Sequence, residues 1–356
     1  MFRRILVPLD GSARAEQAIP VAAQIARAGG GSVILLQVDT TSLDFAWQTT
    51  GAPMILPEDI AAERVAITQY LEQCAASKGL EGITTEIEVA EGVPARTIRS
   101  VAMARKADLI VLCSHGYSGV TRWLLGSVAQ KVARQSAIPV LILREGAGIP
   151  TSLHPEGMRP VRFMVPLDGS ELAEAALAPA AMLATALSAP LAGRLHLVLV
   201  LSLPWMSRQP RDEQMAAARA RIQADAQTYL GTVEKRMRES APSGIQLEVN
   251  SSLIVDEDVA GALIRAAECG KFGKDAPEDQ SLACDVIAMA THGRGGLERW
   301  ALGSITERVL EHTRLPLLIL RPERQREQSQ EAREGGSTEQ QRRPADAGMP
   351  AMTNLP

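Results

Sequence analysis

The chain has 356 residues, with 37 Lys plus Arg against 41 Asp plus Glu and a formal charge of −4. At about 100–200 residues per domain that length supports two buried cores, which excludes a peptide hormone, a disulfide knot or a single small module. The slightly acidic balance leaves no electrostatic footprint for nucleic acid or an acidic membrane surface, and Cys74, Cys113, Cys269 and Cys284 fall in no C-x-x-C or zinc-like spacing, so they read as reduced cytosolic thiols.

The opening MFRRILVPLDGS passes from two arginines straight into a β-type run, without the apolar region and cleavage site of a signal peptide. From there the pattern predicts strands at Ile5–Leu9, Val33–Val38, Thr84–Val89, Leu109–Cys113 and Val140–Leu143. Helices are predicted between them near 13–28, 57–78, 94–106 and 127–136. Runs such as LIVLC and VLILR are apolar at nearly every position, as a strand covered on both faces must be. The expectation is a doubly wound α/β fold with helices on both faces of a parallel sheet. Its ligand belongs beyond the carboxyl ends of the strands, at the switch point.

The chain then repeats itself. RILVPLDGS at 4–12 returns as RFMVPLDGS at 162–170, seven identities in nine at an offset of 158. Residues 108–144 align without gaps to 285–321, with 16 identities in 37 at an offset of 177. A tandem duplication follows, with most of the extra length in the polar loop 270–283. Domains are expected at 1–145 and 161–322, joined by a linker at 146–160. Residues 323–356 contain no Val, Ile, Phe, Trp or Tyr and are expected to be disordered. Ala175–Gly193 is uncharged for 19 residues, close to a membrane span, but its alanines, Pro179 and Pro190 read as a buried helix.

Motifs collect at two strand ends in each copy. Asp10-Gly11-Ser12 and Asp168-Gly169-Ser170 follow the first strand; Ser114-His115-Gly116 and Thr291-His292-Gly293 follow the fourth. Nine residues after each His-Gly comes Gly-Ser, at Gly126-Ser127 and Gly303-Ser304, opening the last helix. A glycine-containing loop leading to a helix N-terminus can cradle phosphate, through free N–H groups and the helix dipole. Taken alone, each Gly-Ser reads first as a capping box, because Ser127 with Gln130 and Ser304 with Glu307 fit S-x-x-E/Q. Two motifs at one crevice, present twice, favour the binding reading.

These residues resemble the A-type universal stress protein family over both copies. The resemblance implies a five-stranded parallel sheet of order 3-2-1-4-5 in each domain and pairing through the last strand. In many members it also implies ATP, with or without Mg2+, bound by G-x2-G-x9-G-[S/T]. Carried over, the implied binding residues of the first copy are Pro8, Leu9, Asp10, Val38, Cys113, His115, Gly116, Gly126, Ser127 and Val128. Those of the second are Pro166, Leu167, Asp168, Val200, Ala290, His292, Gly293, Arg294, Gly303, Ser304 and Ile305. The aspartates would meet the adenine or ribose region, the valines would flank adenine, and the Gly-Ser turns would supply donors to the phosphates. The first motif glycine is replaced by Cys113 and Ala290, a departure from the pattern in both copies.

The resulting expectation is a cytoplasmic, stress-responsive regulatory protein binding adenine nucleotide in one or both domains. Its domains would pair internally through Ile138–Leu143 and Leu315–Leu320; further association into a homodimer is left open, and neither nucleic acid nor membrane is expected as a partner. The alternative is a nucleotide-free scaffold of the same fold. A hydrolase or phosphotransferase is disfavoured, since no Walker loop, G-x-G-x-x-G, activated nucleophile or nucleophile elbow is present and any ATP turnover would be slow. No metal is expected, since His115 and His292 lack partners at ligand spacing. Trp123 and Trp300 read as local core, Asp256-Glu257-Asp258 as an acidic first helical turn, and Cys113 as a small buried hydrophobe.

Overall fold

The computed structural model describes residues 1–40, 57–114, 125–144, 149, 159–202, 213–239, 247–272, 279, 282–291 and 303–321. Its first half runs β1 (Arg4–Leu9), α1 (Ala18–Gly29), β2 (Ser32–Asp39), α2 (Pro57–Ala75), β3 (Thr84–Glu91), α3 (Pro94–Ala104), β4 (Leu109–Cys113), α4 (Ser127–Gln135) and β5 (Val140–Leu143). The second runs β6 (Arg162–Leu167), α5 (Glu171–Glu174), α6 (Leu177–Ser188), β7 (Gly193–Leu201), α7 (Glu213–Glu239), β8 (Leu247–Val255), α8 (Val259–Cys269), β9 (Val286–Ala290), α9 (Ser304–His312) and β10 (Leu317–Leu320). The helix predicted near 13–28 is two pieces, a 3-10 turn at Ala15–Gln17 and then α1. Pro20 stands in the first turn of α1, where its missing N–H costs nothing, and Pro179 does the same in α6.

All ten strands of the described residues form one sheet, in the order β3-β2-β1-β4-β5-β10-β9-β6-β7-β8. Each half has the order 3-2-1-4-5 that the family resemblance implied, with parallel neighbours throughout. The halves meet where β5 and β10 pair antiparallel, Leu317 opposite Ile142 and Ile319 opposite Val140. Met1–Arg321 is one compact unit. Of the expected linker only Ile149, Arg159 and Pro160 are described, and the expected tail 323–356 lies outside the described residues.

Strand alternation explains the two cores. Ile5, Val7, Val33, Leu35, Leu109 and Val111 face one side, under α1 and α2, and their second-half counterparts lie under α6 and α7. Leu6, Ile34, Leu36, Ile110 and Ile142 face the other, under α3 and α4, and the second half continues this layer under α8 and α9. Each core therefore runs across the junction. The crossovers after β1 and β2 lie on one face and those after β3 and β4 on the other, so the winding reverses between β1 and β4, and again between β6 and β9. Carboxyl ends on either side of such a reversal splay apart and leave a crevice. Among the described residues no helix is long and apolar enough to cross a membrane, and Ala175–Gly193 resolves into α6 and its flanks.

Candidate functional site

At the end of β1 the chain makes a tight turn. Asp10 Oδ1 accepts from Ser12 N at 3.1 Å and from Ser12 Oγ at 2.6 Å. Ser12 Oγ in turn accepts from Ala15 N at 3.2 Å. The second half repeats this: Asp168 Oδ1 accepts from Ser170 N at 2.9 Å and Oγ at 2.6 Å, and Ser170 Oγ accepts from Ala173 N at 3.1 Å. Gly11 and Gly169 sit at φ of +80° and +82°, which an L side chain rarely adopts. The motif is thus a self-bonded turn that leaves Asp10 and Asp168 exposed at the crevice.

The Gly-Ser pairs correct the capping-box reading. The N-cap residues are Gly126 and Gly303, and no side chain caps either helix. Ser127 and Ser304 are the first helical residues, so their hydroxyls are not spent on the cap. The first intrahelical bonds are Gln130 N to Gly126 O at 2.9 Å and Glu307 N to Gly303 O at 2.8 Å. The amides of Ser127, Val128 and Ala129, and of Ser304, Ile305 and Thr306, precede them; these are the donors a helix start offers to an anion. The loop is anchored from behind, because Gly126 N donates to Ser114 O at 2.7 Å and Ser114 N to Leu143 O at 2.8 Å. Thr291 N makes the matching bond to Leu320 O at 2.8 Å. Val128 and Ile305, the second residues of the two helices, are each 37% exposed.

Pro8, Leu9, Pro166 and Leu167 close β1 and β6, while Val38 and Val200 are half-buried near the ends of β2 and β7. His115, Gly116, His292, Gly293 and Arg294 lie outside the described residues, as do Trp123 and Trp300. Cys113 and Ala290 both pack against the first core. Cys113 Sγ donates to Ala15 O at 3.8 Å, and burial, reinforced by the charge of Asp10, pushes its thiol up to about 12. A thiol held protonated in this way is a packing group, as its sequence context suggested. Both residues are small, and neither is a bulky plug at the glycine position. Asp256-Glu257-Asp258 precedes its helix rather than forming the first turn, and Asp258 caps α8 by accepting from Gly261 N at 3.1 Å.

One duplicated contact escaped the sequence reading. Tyr70 on α2 donates its hydroxyl to Glu16 Oε1 at 3.1 Å, and Tyr229 on α7 donates to Glu174 Oε1 at 2.8 Å. Each bond ties a long helix to the segment just after the Asp-Gly-Ser turn. Burial raises both phenols first; at Tyr70 the neighbouring Cys74 thiol adds more than Glu16 does, and at Tyr229 Glu174 and then the charge of Asp168 add to the rise. In the second half Arg236 also pairs with Glu174. The offsets of 158 and 159 between these residues could have revealed the pairs, had polar residues been followed through the repeat as the motifs were.

Among the described residues no group of three or more His, Cys, Asp or Glu could hold a metal. Fold and crevice together define a doubly wound α/β protein duplicated within one chain. The universal stress protein family model matches residues 1–144 and 274–321, more than half of the chain, and the chain belongs to that family. It is 32% identical to the universal stress protein YxiE of Bacillus subtilis over 152 residues, 40% of this chain and all of that one. It is 26% identical to Rv2005c of Mycobacterium tuberculosis over 240 residues, 67% of this chain and 70% of that one. Among solved structures, a universal stress protein of Archaeoglobus fulgidus aligns with a TM-score of 0.57 at 20% identity, covering 89% of this chain and 96% of that one. PA1789 of Pseudomonas aeruginosa, described as functionally unknown, aligns at 0.58 and 16% identity, covering 94% of this chain and 98% of that one. The two structural matches support the fold.

Proposed function

We propose that this universal stress protein is a regulatory module of the cytoplasm, built of domains at 1–145 and 161–322, that binds ATP at one or both crevices. The observation that carries the reading is the uncapped start of α4 and of α9 at the same place in each half. A serine hydroxyl and three leading amides stand there, behind a glycine whose backbone a phosphate can approach. Asp10 or Asp168 meets the ribose or adenine side, Val38 or Val200 flanks the base, and Gly126-Ser127-Val128 or Gly303-Ser304-Ile305 receives the phosphates. Occupancy would bias how the halves pack or which partner surface is presented. Chemistry on the nucleotide is not part of the reading.

A nucleotide-free scaffold is the second reading, favoured by Cys113 and Ala290 at the first motif glycine. Denaturing freshly purified protein and chromatographing the released small molecules separates the two. One or two equivalents of adenine nucleotide per chain are expected; none, with no binding of added Mg-ATP, would overturn the proposal in favour of the scaffold.

A further inference from the structure

The two helix starts carry different charges, and the difference is made up across the seam. Just beyond Ser127, α4 has Gln130 and Lys131; at the same repeat positions, offset by 177, α9 has Glu307 and Arg308. Lys131 makes no ion pair among the described residues, so α4 brings a positive charge of its own to its start. Arg308 gives α9 no such surplus. Asp258, the cap of α8, holds it with two bonds, Nη1 to Oδ1 at 2.6 Å and Nη2 to Oδ2 at 3.1 Å. Within the second half no cation pairs with Glu307 among the described residues. Glu307 stands in the first turn of α9. At a rise of about 1.5 Å per residue its charge lies close to the leading amides and opposes any anion they receive.

The first half cancels that charge. Arg134, in the last turn of α4, donates Nη2 to Glu307 Oε1 across the seam. The two side chains are 31% and 37% exposed, and Arg134 Nε is shut off from solvent without a hydrogen-bond partner. A pair so enclosed is screened less by salt than a fully exposed one. The same half also holds the other end of α9, where buried Arg144, just past β5, donates to Leu310 O. The converse arrangement is missing: the repeat partner of Glu307 is neutral Gln130, and that of Arg134 is Glu311. The second half therefore lends no cation at that position, and α4, with Lys131, needs none.

We propose that Arg134 of the first half is a positioning residue for the second crevice: by neutralising Glu307 it fits the start of α9 to a polyphosphate. The first crevice needs nothing of the kind from the other half. This inference rests on the nucleotide reading above and adds a regulation to it. By linkage, whatever brings α4 against α9 strengthens polyphosphate binding in the second crevice, and a bound polyphosphate holds that contact closed.

The test is calorimetric titration of the full chain with ATP, ADP and AMP without added divalent metal, and with Mg-ATP. A Gly126→Val background, whose side chain bars phosphate from α4, reads the second crevice, and Gly303→Val reads the first. In the second crevice Arg134→Gln is expected to weaken ATP about fivefold, ADP less and AMP least, and the loss should fade at about 0.5 M salt. Adding Glu307→Gln should restore affinity to within about twofold, because no charge is left to cancel. Arg134→Lys keeps the charge and should keep most of the affinity. In the first crevice none of these changes should register, whereas Lys131→Gln should weaken ATP. An equal loss for ATP and AMP, no rescue by Glu307→Gln, or the same loss in the first crevice would overturn the proposal by making Arg134 a structural residue. Nucleotide binding in Gly303→Val with none in Gly126→Val would also overturn it, while leaving the nucleotide reading in place at the first crevice. No binding of ATP or Mg-ATP in either background or in the unaltered chain would remove that reading, and this inference with it.

Discussion

Where the first half has Ile34 in the middle of β2, packed into the second core, the second half has His196 in the middle of β7. Its ring stacks on Phe272 with centroids 4.4 Å apart and an interplanar angle of 9°, and Nε2 lies 2.9 Å from Ser252 Oγ on β8. The backbone has kept its register, with the pairing of β1 to β2 reproduced by that of β6 to β7. The filling has changed from aliphatic to polar-aromatic. Duplication has therefore held strand order, turn chemistry and helix starts, while the filling of the second core has diverged at this position. The two halves are internal controls for one another, and each substitution below has a partner position that should respond differently or alike for a stated reason.

The largest effect is expected where the halves need the same residue for different reasons. Gly31 and Gly193 each stand where β2 or β7 begins. A Cβ on Gly31 would lie 2.4 Å from Arg3 O, against the chain entering β1. On Gly193 it would lie 2.6 Å from the carbonyl carbon of Ala184, against α6. Neither neighbour is a flexible side chain, so Gly31→Ala and Gly193→Ala should each cost about 3 kcal/mol, the upper end of overpacking penalties. Urea unfolding should show both as lower midpoints. A neutral result at one position only would mean that the two halves do not share this packing rule.

A difference of about 2 kcal/mol should separate the halves on acidification. Burial first, then the charge of Arg162, lower His196 to about 4, while the unfolded imidazole titrates near 6.5. Between those values the unfolded chain binds a proton that the folded chain does not, so stability rises with pH. His196 is therefore fully compatible with the fold above pH 6.5, and stability falls as pH drops from there toward 4. Between pH 7 and pH 5 the loss should be about 2 kcal/mol. Charged groups on every side enter this balance, with Arg162 on β6 lowering the value and Glu234 on α7 raising it. His196→Ile, which copies the first half, should flatten the stability profile over that range. A profile equally steep in the variant would assign the acid sensitivity elsewhere.

The half-buried phenols Tyr70 and Tyr229 are expected to cost about 1 kcal/mol each on losing their hydroxyls, since a carboxylate is left with one donor fewer. Tyr229→Phe should cost less than Tyr70→Phe, because Glu174 keeps Arg236, whereas no arginine or lysine pairs with Glu16 among the described residues. Equal losses would show that Arg236 does not compensate.

These comparisons also mark what the sequence made legible. The strands declared themselves because LIVLC and LLIL are apolar on both faces, and the repeat followed from identities concentrated at the turns. The switch-point crevice was legible for the same reason, since Asp-Gly-Ser and Gly-Ser sit where strands end. The stack of His196 on Phe272 was not, since 75 residues of intervening chain give no hint that the two rings meet.

The smallest effect concerns a one-residue question that pattern alone could not answer. S-x-x-Q and S-x-x-E fit a capping box, but the same letters fit a helix that starts at the serine behind a glycine cap. The distinction is one of backbone angles: Gly126 at ψ 145° and Gly303 at ψ 145° hold the non-helical cap position. Ser127→Ala and Ser304→Ala should accordingly change stability by less than about 0.5 kcal/mol, the usual size for an exposed substitution. Ser170→Ala should cost about 1 kcal/mol, because Ser170 does cap its helix. The hydroxyls that cap nothing are the ones the proposed function assigns to phosphate. Ser127→Ala and Ser304→Ala are therefore expected to weaken Mg-ATP binding severalfold while leaving the unfolding midpoint in place. If instead stability falls by a full capping increment with ATP affinity unchanged, the serines are caps after all, and the helix starts lose their claim as the phosphate end of the crevice.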